Sequence, residues 1–247
     1  MSDDAIRNAV AKTAFSFSGF SAFRVLDLSC GDGKLLEVLA PNCESVEGTH
    51  FCDNDYITKD PSPILDKITL HTNVDLTQAL ALDSDSYDLV IATEVLEHLP
   101  AHTPLLKEIS RILKPGGQFI FTTPNVHRLS SRFKFLCSGT FYLNGARLGW
   151  DTPANELYAT HHNPVYLPII HSLLYQQGFR KFDLGLTHYR ISSALLLPLY
   201  PIVLLGAWLE TRHIKKKSKT GASDLFKKLI SPKLLLSEQL MVVAQKP

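Results

Sequence analysis

Residues 25–33 read VLDLSCGDG and run directly into KLLEVLA, residues 34–40. An apolar, strand-like run reaches an acid, a glycine-rich turn follows, and a helical pattern begins. That order is the strand–turn–helix unit from which ligand-binding α/β sheets are built. Its glycines leave two ligands in contention, a dinucleotide or a nucleoside without phosphates.

The same alternation extends outward. Residues 6–15 have the pattern of a short helix, and residues 23–28 form a short apolar run that suits a buried parallel strand. Residues 35–39 are spaced as a helix, which Pro41 and Asn42 stop. Strands are expected at 44–49 and 68–72 and, most clearly, at 87–93, YDLVIAT. Leu105, Leu106, Ile109, Ile112 and Leu113 share one face of a helix over 104–113. KPGG, residues 114–117, is expected to end that helix before a strand at 118–123. A helix at 167–177 capped by Gly178, a strand at 179–184 and a last strand at 239–244 complete the pattern. Such alternation predicts an α/β, doubly wound sheet with its ligand loops at the carboxyl ends of the strands. Because strands resume after 126–163 and after 190–235, both segments read as insertions into a single domain over 1–247.

The chain has 247 residues with 45% hydrophobic and 20% charged side chains, an ordinary globular composition able to bury a substantial core. A net charge of +1 supplies no global field for nucleic acid, which makes that partner unlikely. Cys30, Cys43, Cys52 and Cys137 show no CxxC spacing and read as reduced thiols of a cytoplasmic protein. MSDDAIRNAV is acidic and polar, unlike a secretory signal.

The turn itself discriminates between the two ligands. A dinucleotide fingerprint needs a third glycine, but Leu36 stands there after Gly31 and Gly33. Asp27 would also meet a pyrophosphate unfavourably, whereas a carboxylate suits a positively charged ligand. S-Adenosylmethionine, with an α-ammonium, a sulfonium and no phosphate, fits this chemistry.

Five blocks in chain order then resemble the class I S-adenosylmethionine-dependent methyltransferases: VLDLSCGDG, SVEGTH, NVDLTQAL, SYDLVIATEVLEHL and LLKEISRILKPGGQFIFTTPN. They cover residues 23–125; HHNPVYLPIIHSLLYQQGF and QLMVVAQK are similar more generally. The resemblance implies a Rossmann-like, seven-stranded sheet with its last strand antiparallel and with the insertions after strands 5 and 6. It makes 23–125 the cofactor-binding half and 126–163 a lid or substrate insertion. It further implies that Asp27, Ser29, Gly31 and Gly33 line the methionine end, that Asp75 and Leu76 meet the adenine, and that Glu94 closes the pocket near the sulfonium. Relatives carry an acid for the ribose hydroxyls where this chain has His50. Histidine cannot accept both hydroxyls at once, so either His50 serves less well or Asp53 or Asp55 reaches in.

Methyl transfer is an in-line displacement at an activated carbon, so alignment and exclusion of water do most of the work. A base is required when the acceptor is a neutral hydroxyl. EVLEH places Glu94, Glu97 and His98 at one-face helical spacing. His98 and His162 are the catalytic candidates, with His161 beside the latter. Some relatives, of the ubiquinone pathway and of small-RNA methylation, use such acids and histidines to hold a divalent metal. The commoner reading, a helix start that orients the loop, is preferred, and no metal is assigned.

The insertions bear on the acceptor. Arg128, Arg132 and Lys134 alternate with Phe133, Phe135 and Leu136; the commoner reading, the solvated basic edge of a lid, is preferred over a grip on an anionic group. ALLLPLYPIVLLGAWL, residues 194–209, is too short and proline-broken to span a bilayer, and TRHIKKKSK follows it. Peripheral membrane contact through 194–219 is expected; a hydrophobic cap or a dimer contact is the alternative. The expectation is therefore O-methylation of a hydrophobic or membrane-proximal small molecule, a lipid-linked glycan or a quinone precursor, at the inner face of the membrane. Three rivals stand beside it. One is a metal-assisted RNA-end methyltransferase. Another is a non-catalytic methyltransferase-like binding subunit, which Ser29 and His50 permit. The last, a nicotinamide-dependent oxidoreductase, is opposed by Leu36 and Asp27.

Overall fold

The computed structural model describes residues 2–51, 61–142, 151–153, 160–217 and 222–247. Among them seven strands form one sheet: β1 (Arg24–Leu28), β2 (Ser45–Thr49), β3 (Thr69–His71), β4 (Tyr87–Thr93), β5 (Leu113–Pro124), β6 (Lys181–Gly185) and β7 (Gln239–Gln245). Their order is β3-β2-β1-β4-β5-β7-β6. The first five pair in parallel, and β7 lies antiparallel between β5 and β6. This is the doubly wound, Rossmann-like α/β sheet with an antiparallel last strand that the sequence implied.

Strands buried on both faces explain the continuous apolar runs. Val25, Leu89, Ile91 and Ile120 pack with α1 (Ser2–Phe15) and α2 (Lys34–Leu39) on one side. Their neighbours Leu26, Val90, Phe119 and Phe121 point the other way, toward α3 (Thr103–Ile112) and α5 (Leu167–Gln176). Period-two alternation thus feeds two cores from the same three central strands.

KPGG behaves differently from expectation. Helix α3 does end at Ile112, but Leu113 already pairs with Tyr87, so the break falls inside β5 rather than before it. The register shifts between Tyr87 and Leu89, and Gly116 adopts φ 82° there. A bulge at the start of the strand accommodates a proline that regular ladder pairing would reject.

Helix α4 (Leu129–Ser138) follows the carboxyl end of β5 closely. The second insertion contributes α6 (Ile191–Ala194), α7 (Tyr200–Lys217), α8 (Ala222–Leu229) and α9 (Pro232–Leu236). Here the prolines punctuate less than expected. Pro198 sits in a short turn at Leu197–Leu199, and Pro201 in the first turn of α7, where its missing N–H would lack a helical partner anyway. Among the described residues no helix is long and apolar enough to cross a membrane.

Candidate active site

Parallel pairing of Leu28 with Ala92 brings the turns after β1 and β4 to one edge of the sheet. Asp27, near the end of β1, is 3% exposed, and its Oδ1 has no hydrogen-bond partner among the described residues. Burial first, and the Asp32 charge second, push its carboxyl up to about 8. A buried carboxyl group with an oxygen left unsatisfied is what a cationic ligand would complement and a pyrophosphate would not.

The turn beyond it is held open by cross-strand bonds. Ser29 takes φ 61° and donates its N–H to Thr49 Oγ1 at 2.9 Å; Cys30 N–H donates to the Thr49 carbonyl at 3.1 Å. Gly31 is exposed at the rim. Gly33 needs its missing side chain twice over: φ is 72°, and a Cβ would stand 2.7 Å from Leu65 Cδ2. His50 is buried at the end of β2, its Nε2 3.0 Å from the Gly31 carbonyl oxygen and its N–H 2.8 Å from the His71 carbonyl. That ring nitrogen is engaged by the turn, so His50 braces the glycines and keeps only Nδ1 as an acceptor. Asp53 and Asp55 lie outside the described residues.

Beyond β3, Asp75 Oδ1 accepts from Thr77 N–H at 2.8 Å and Thr77 Oγ1 at 2.7 Å, closing an Asx turn on the surface. Leu76 is buried in the core beneath it. On β4's exit, Glu94 holds φ 53°, a left-handed conformation that a non-glycine residue adopts at a cost. Its N–H is fixed by the Thr122 carbonyl at 3.1 Å and the Thr122 hydroxyl at 3.2 Å.

The EVLEH turn meets a distant segment. Asn163 N–H donates to the Glu97 carbonyl at 3.0 Å, and its Nδ2 donates to the Leu99 carbonyl at 2.8 Å. His161 and His98 therefore stack edge to face with centroids 4.7 Å apart. Glu97 is fully buried, and burial together with the Glu94 charge pushes its carboxyl up to about 8. Among the described residues neither Glu97 oxygen makes a well-formed hydrogen bond, although the Thr123 hydroxyl helps to hold its carboxyl down; His161 Nε2 stands 3.9 Å from Oε1. His161 is driven down to about 4 by burial and by His98, and His98 is lowered chiefly by burial. His98 Nδ1 donates to the Thr160 carbonyl at 3.1 Å, which fixes its proton on Nδ1 and leaves Nε2 with a lone pair. His162 Nδ1 lies 3.2 Å from the same carbonyl.

Glu97, His98 and His161 offer ligand atoms all within 4.8 Å of one another, the described group that could coordinate a divalent ion. Transfer from a sulfonium needs no such ion, because the carbon is already activated. Glu97 and His161 stand out in the sequence, whereas Thr49, Thr122 and Thr160 do not. Their hydroxyls and carbonyls act across strands or loops, and no local motif marks them.

A family model described as a methyltransferase domain matches residues 4–182. Over 132 residues the chain is 33% identical to the mitochondrial ubiquinone biosynthesis O-methyltransferase of Mus musculus, which covers 51% of this chain and 36% of that protein. It is 27% identical over 126 residues to the ubiquinone biosynthesis O-methyltransferase of Pseudomonas fluorescens, covering 51% and 53%. The chain thus spans about half or less of the length of these curated relatives. Among solved structures, a SAM-dependent methyltransferase from Archaeoglobus fulgidus shares the fold with a TM-score of 0.56 at 17% identity, over 97% of this chain and 94% of that one.

Proposed function

Because the chain belongs to the class I S-adenosylmethionine-dependent methyltransferase family, we propose that it methylates an oxygen of a hydrophobic small molecule, a quinone precursor or a lipid-linked glycan. The observation that carries this reading is the buried Asp27 carboxyl group beside the glycine turn, whose Oδ1 has no hydrogen-bond partner among the described residues. S-Adenosylmethionine, when bound, supplies the activated methyl group. Asp27 answers its positive charge, while Ser29, Gly31 and Gly33 present backbone to the methionine end. Asp75 keeps Oδ2 for the adenine, Leu76 packs below it, Glu94 borders the sulfonium, and His50 holds the turn.

On the acceptor side, His98 Nε2 takes the hydroxyl proton, and neutral imidazole is the form its burial favours. His162 contacts the acceptor from the neighbouring position. The fold works as one domain over 1–247, in which 126–163 and 190–235 shape the acceptor side. Modest similarity to two enzymes named for ubiquinone biosynthesis supports the choice of oxygen and of a quinone-like acceptor.

The second insertion supports work at the inner face of a membrane by a cytoplasmic protein. On α7, Ile202, Leu205 and Leu209 follow a single helical row and are 68%, 58% and 53% exposed. The inward row, Ala207, Thr211 and Ile214, is buried or packed on the core. Trp208 is exposed beside the outer row with the Arg212 guanidinium 5.1 Å from its ring, and Lys215 and Lys216 follow. Apolar turns leading into basic ones suit a helix lying in an anionic lipid interface.

The test is transfer of a radiolabelled methyl group into lysate fractions of lipid, glycan, RNA and protein. Label in the lipid fraction is expected. Label in RNA alone would overturn the acceptor, and cofactor binding without transfer to any fraction would favour a binding subunit.

A further inference from the structure

Beside the catalytic edge lies a second polar cluster that the transfer chemistry leaves unused. Glu238, just before β7, is 6% exposed and gathers two guanidiniums and an imidazole. Arg190 Nε lies 2.9 Å and His188 Nε2 3.0 Å from its Oε2, while an Arg128 terminal nitrogen lies 3.6 Å from its Oε1. Arg128 is 3% exposed at the start of α4, and its guanidinium sits 5.2 Å from the ring of Tyr142, which Lys134 approaches at 4.4 Å.

The charges in this group do not cancel. Two guanidiniums are permanently positive, and among the described residues Glu238 is the acid they share. Burial works against the charge of Arg128, Glu238 supports it, and Arg190 opposes it. Among the described residues, Arg128 Nε and His188 Nδ1 are both buried without a hydrogen-bond partner. Arg128 already donates to the Glu238 carbonyl at 3.4 Å; one further anion would bring the two guanidiniums and Glu238 to neutrality and give the Arg128 fork an acceptor from outside Glu238. Half of Arg190 faces solvent, so its side chain can close over an arriving group.

Location ties the cluster to the reaction. Thr122, which holds Glu94, lies on β5 two residues before Pro124, and Pro124 pairs with Gln239, next to Glu238. Two to three residues of strand, about 7–10 Å of backbone, separate Thr122 from the level of Glu238 on which the guanidiniums gather. A single substituted ring spans such a gap.

We propose that Arg128, Arg190 and His188, gathered on Glu238, form an anion subsite that takes a carboxylate or phosphate carried by the methyl acceptor. This rests on the methyltransferase reading, and it narrows the acceptor to an anionic one. The test is calorimetric titration of the full chain, saturated with S-adenosylhomocysteine, with benzoate, phenyl phosphate and benzamide. At least one of the two anions is expected to bind tenfold or more tighter than the neutral amide, and the better of them names the group. Arg190→Gln should weaken that anion about fivefold or more while leaving benzamide and S-adenosylhomocysteine unchanged. Arg128→Lys, which keeps the charge and removes the fork, should weaken it too. Equal affinity for anion and amide, no binding of any of the three, or an indifferent Arg190→Gln would overturn the subsite. Failure of S-adenosylhomocysteine to bind would instead strike the methyltransferase reading, and anion selectivity measured without it would still stand on its own.

Discussion

The imidazole of His50 donates from Nε2 to the carbonyl oxygen of Gly31 across 3.0 Å, joining the end of β2 to the glycine turn after β1. A hydrogen bond of this kind is worth about 1 kcal/mol, roughly fivefold in an equilibrium. His50→Ala is therefore expected to weaken S-adenosylhomocysteine binding about fivefold, while His50→Gln, which retains a donor, stays near the wild type. Calorimetry on the three proteins checks this; equal binding by His50→Ala would remove the bracing role.

Asp27 gives cofactor binding a pH dependence. Its carboxyl titrates at about 8 in the folded protein against 3.8 ordinarily, so the ligand-free fold is stabilised by the bound proton below pH 3.8 and loses that stability as pH rises through about 8. A cationic ligand needs the carboxylate, so affinity for S-adenosylmethionine should climb as pH rises from 6 toward 8 and level off above it. The slope approaches tenfold per unit at most. Asp27→Asn should bind more weakly and flatten the curve, as titrations from pH 6 to 9 would read.

His98 should control turnover. Removing a general base costs about a hundredfold or more, so His98→Gln is expected to lower kcat by that factor with cofactor affinity intact. Burial lowers His98, and the acid limb of wild-type kcat should accordingly have its midpoint below the ordinary histidine value. His162→Gln should raise KM for the acceptor instead of abolishing kcat. The reverse pattern would exchange the two roles.

The outer row of α7 is open to a vesicle test. Arg212→Glu, Lys215→Glu and Lys216→Glu combined should reduce co-sedimentation with phosphatidylglycerol vesicles at least tenfold, since each basic residue near such a surface contributes about 1 kcal/mol. Leu205→Glu with Leu209→Glu should do the same through lost apolar contact. Wild-type protein that ignores the vesicles, or that sediments as a dimer through α7, would contradict membrane docking.

Much of the fold was legible because its signals are local. YDLVIAT, residues 87–93, matches β4 residue for residue, since a strand whose centre is buried on both faces reads as a nearly continuous apolar run. Pro115 was legible as a break, but whether it would become a loop or a bulge depended on Tyr87 across the sheet. The site divides in the same way. Asp27, Gly31 and Gly33 sit in one turn and could be read together. His50 was visible only as the absence of an acid, because its bond to Gly31 depends on how β2 lies beside β1. His98 meets Thr160, and Arg128 meets Glu238, only through folding of the loops between strands.

The most direct test is a crystal structure of the protein soaked with S-adenosylmethionine. The ligand's methionine end is expected along Gly31–Gly33, with its positive charge on Asp27. A cleft plugged by the protein's own side chains, or a pyrophosphate bound in it, would contradict this.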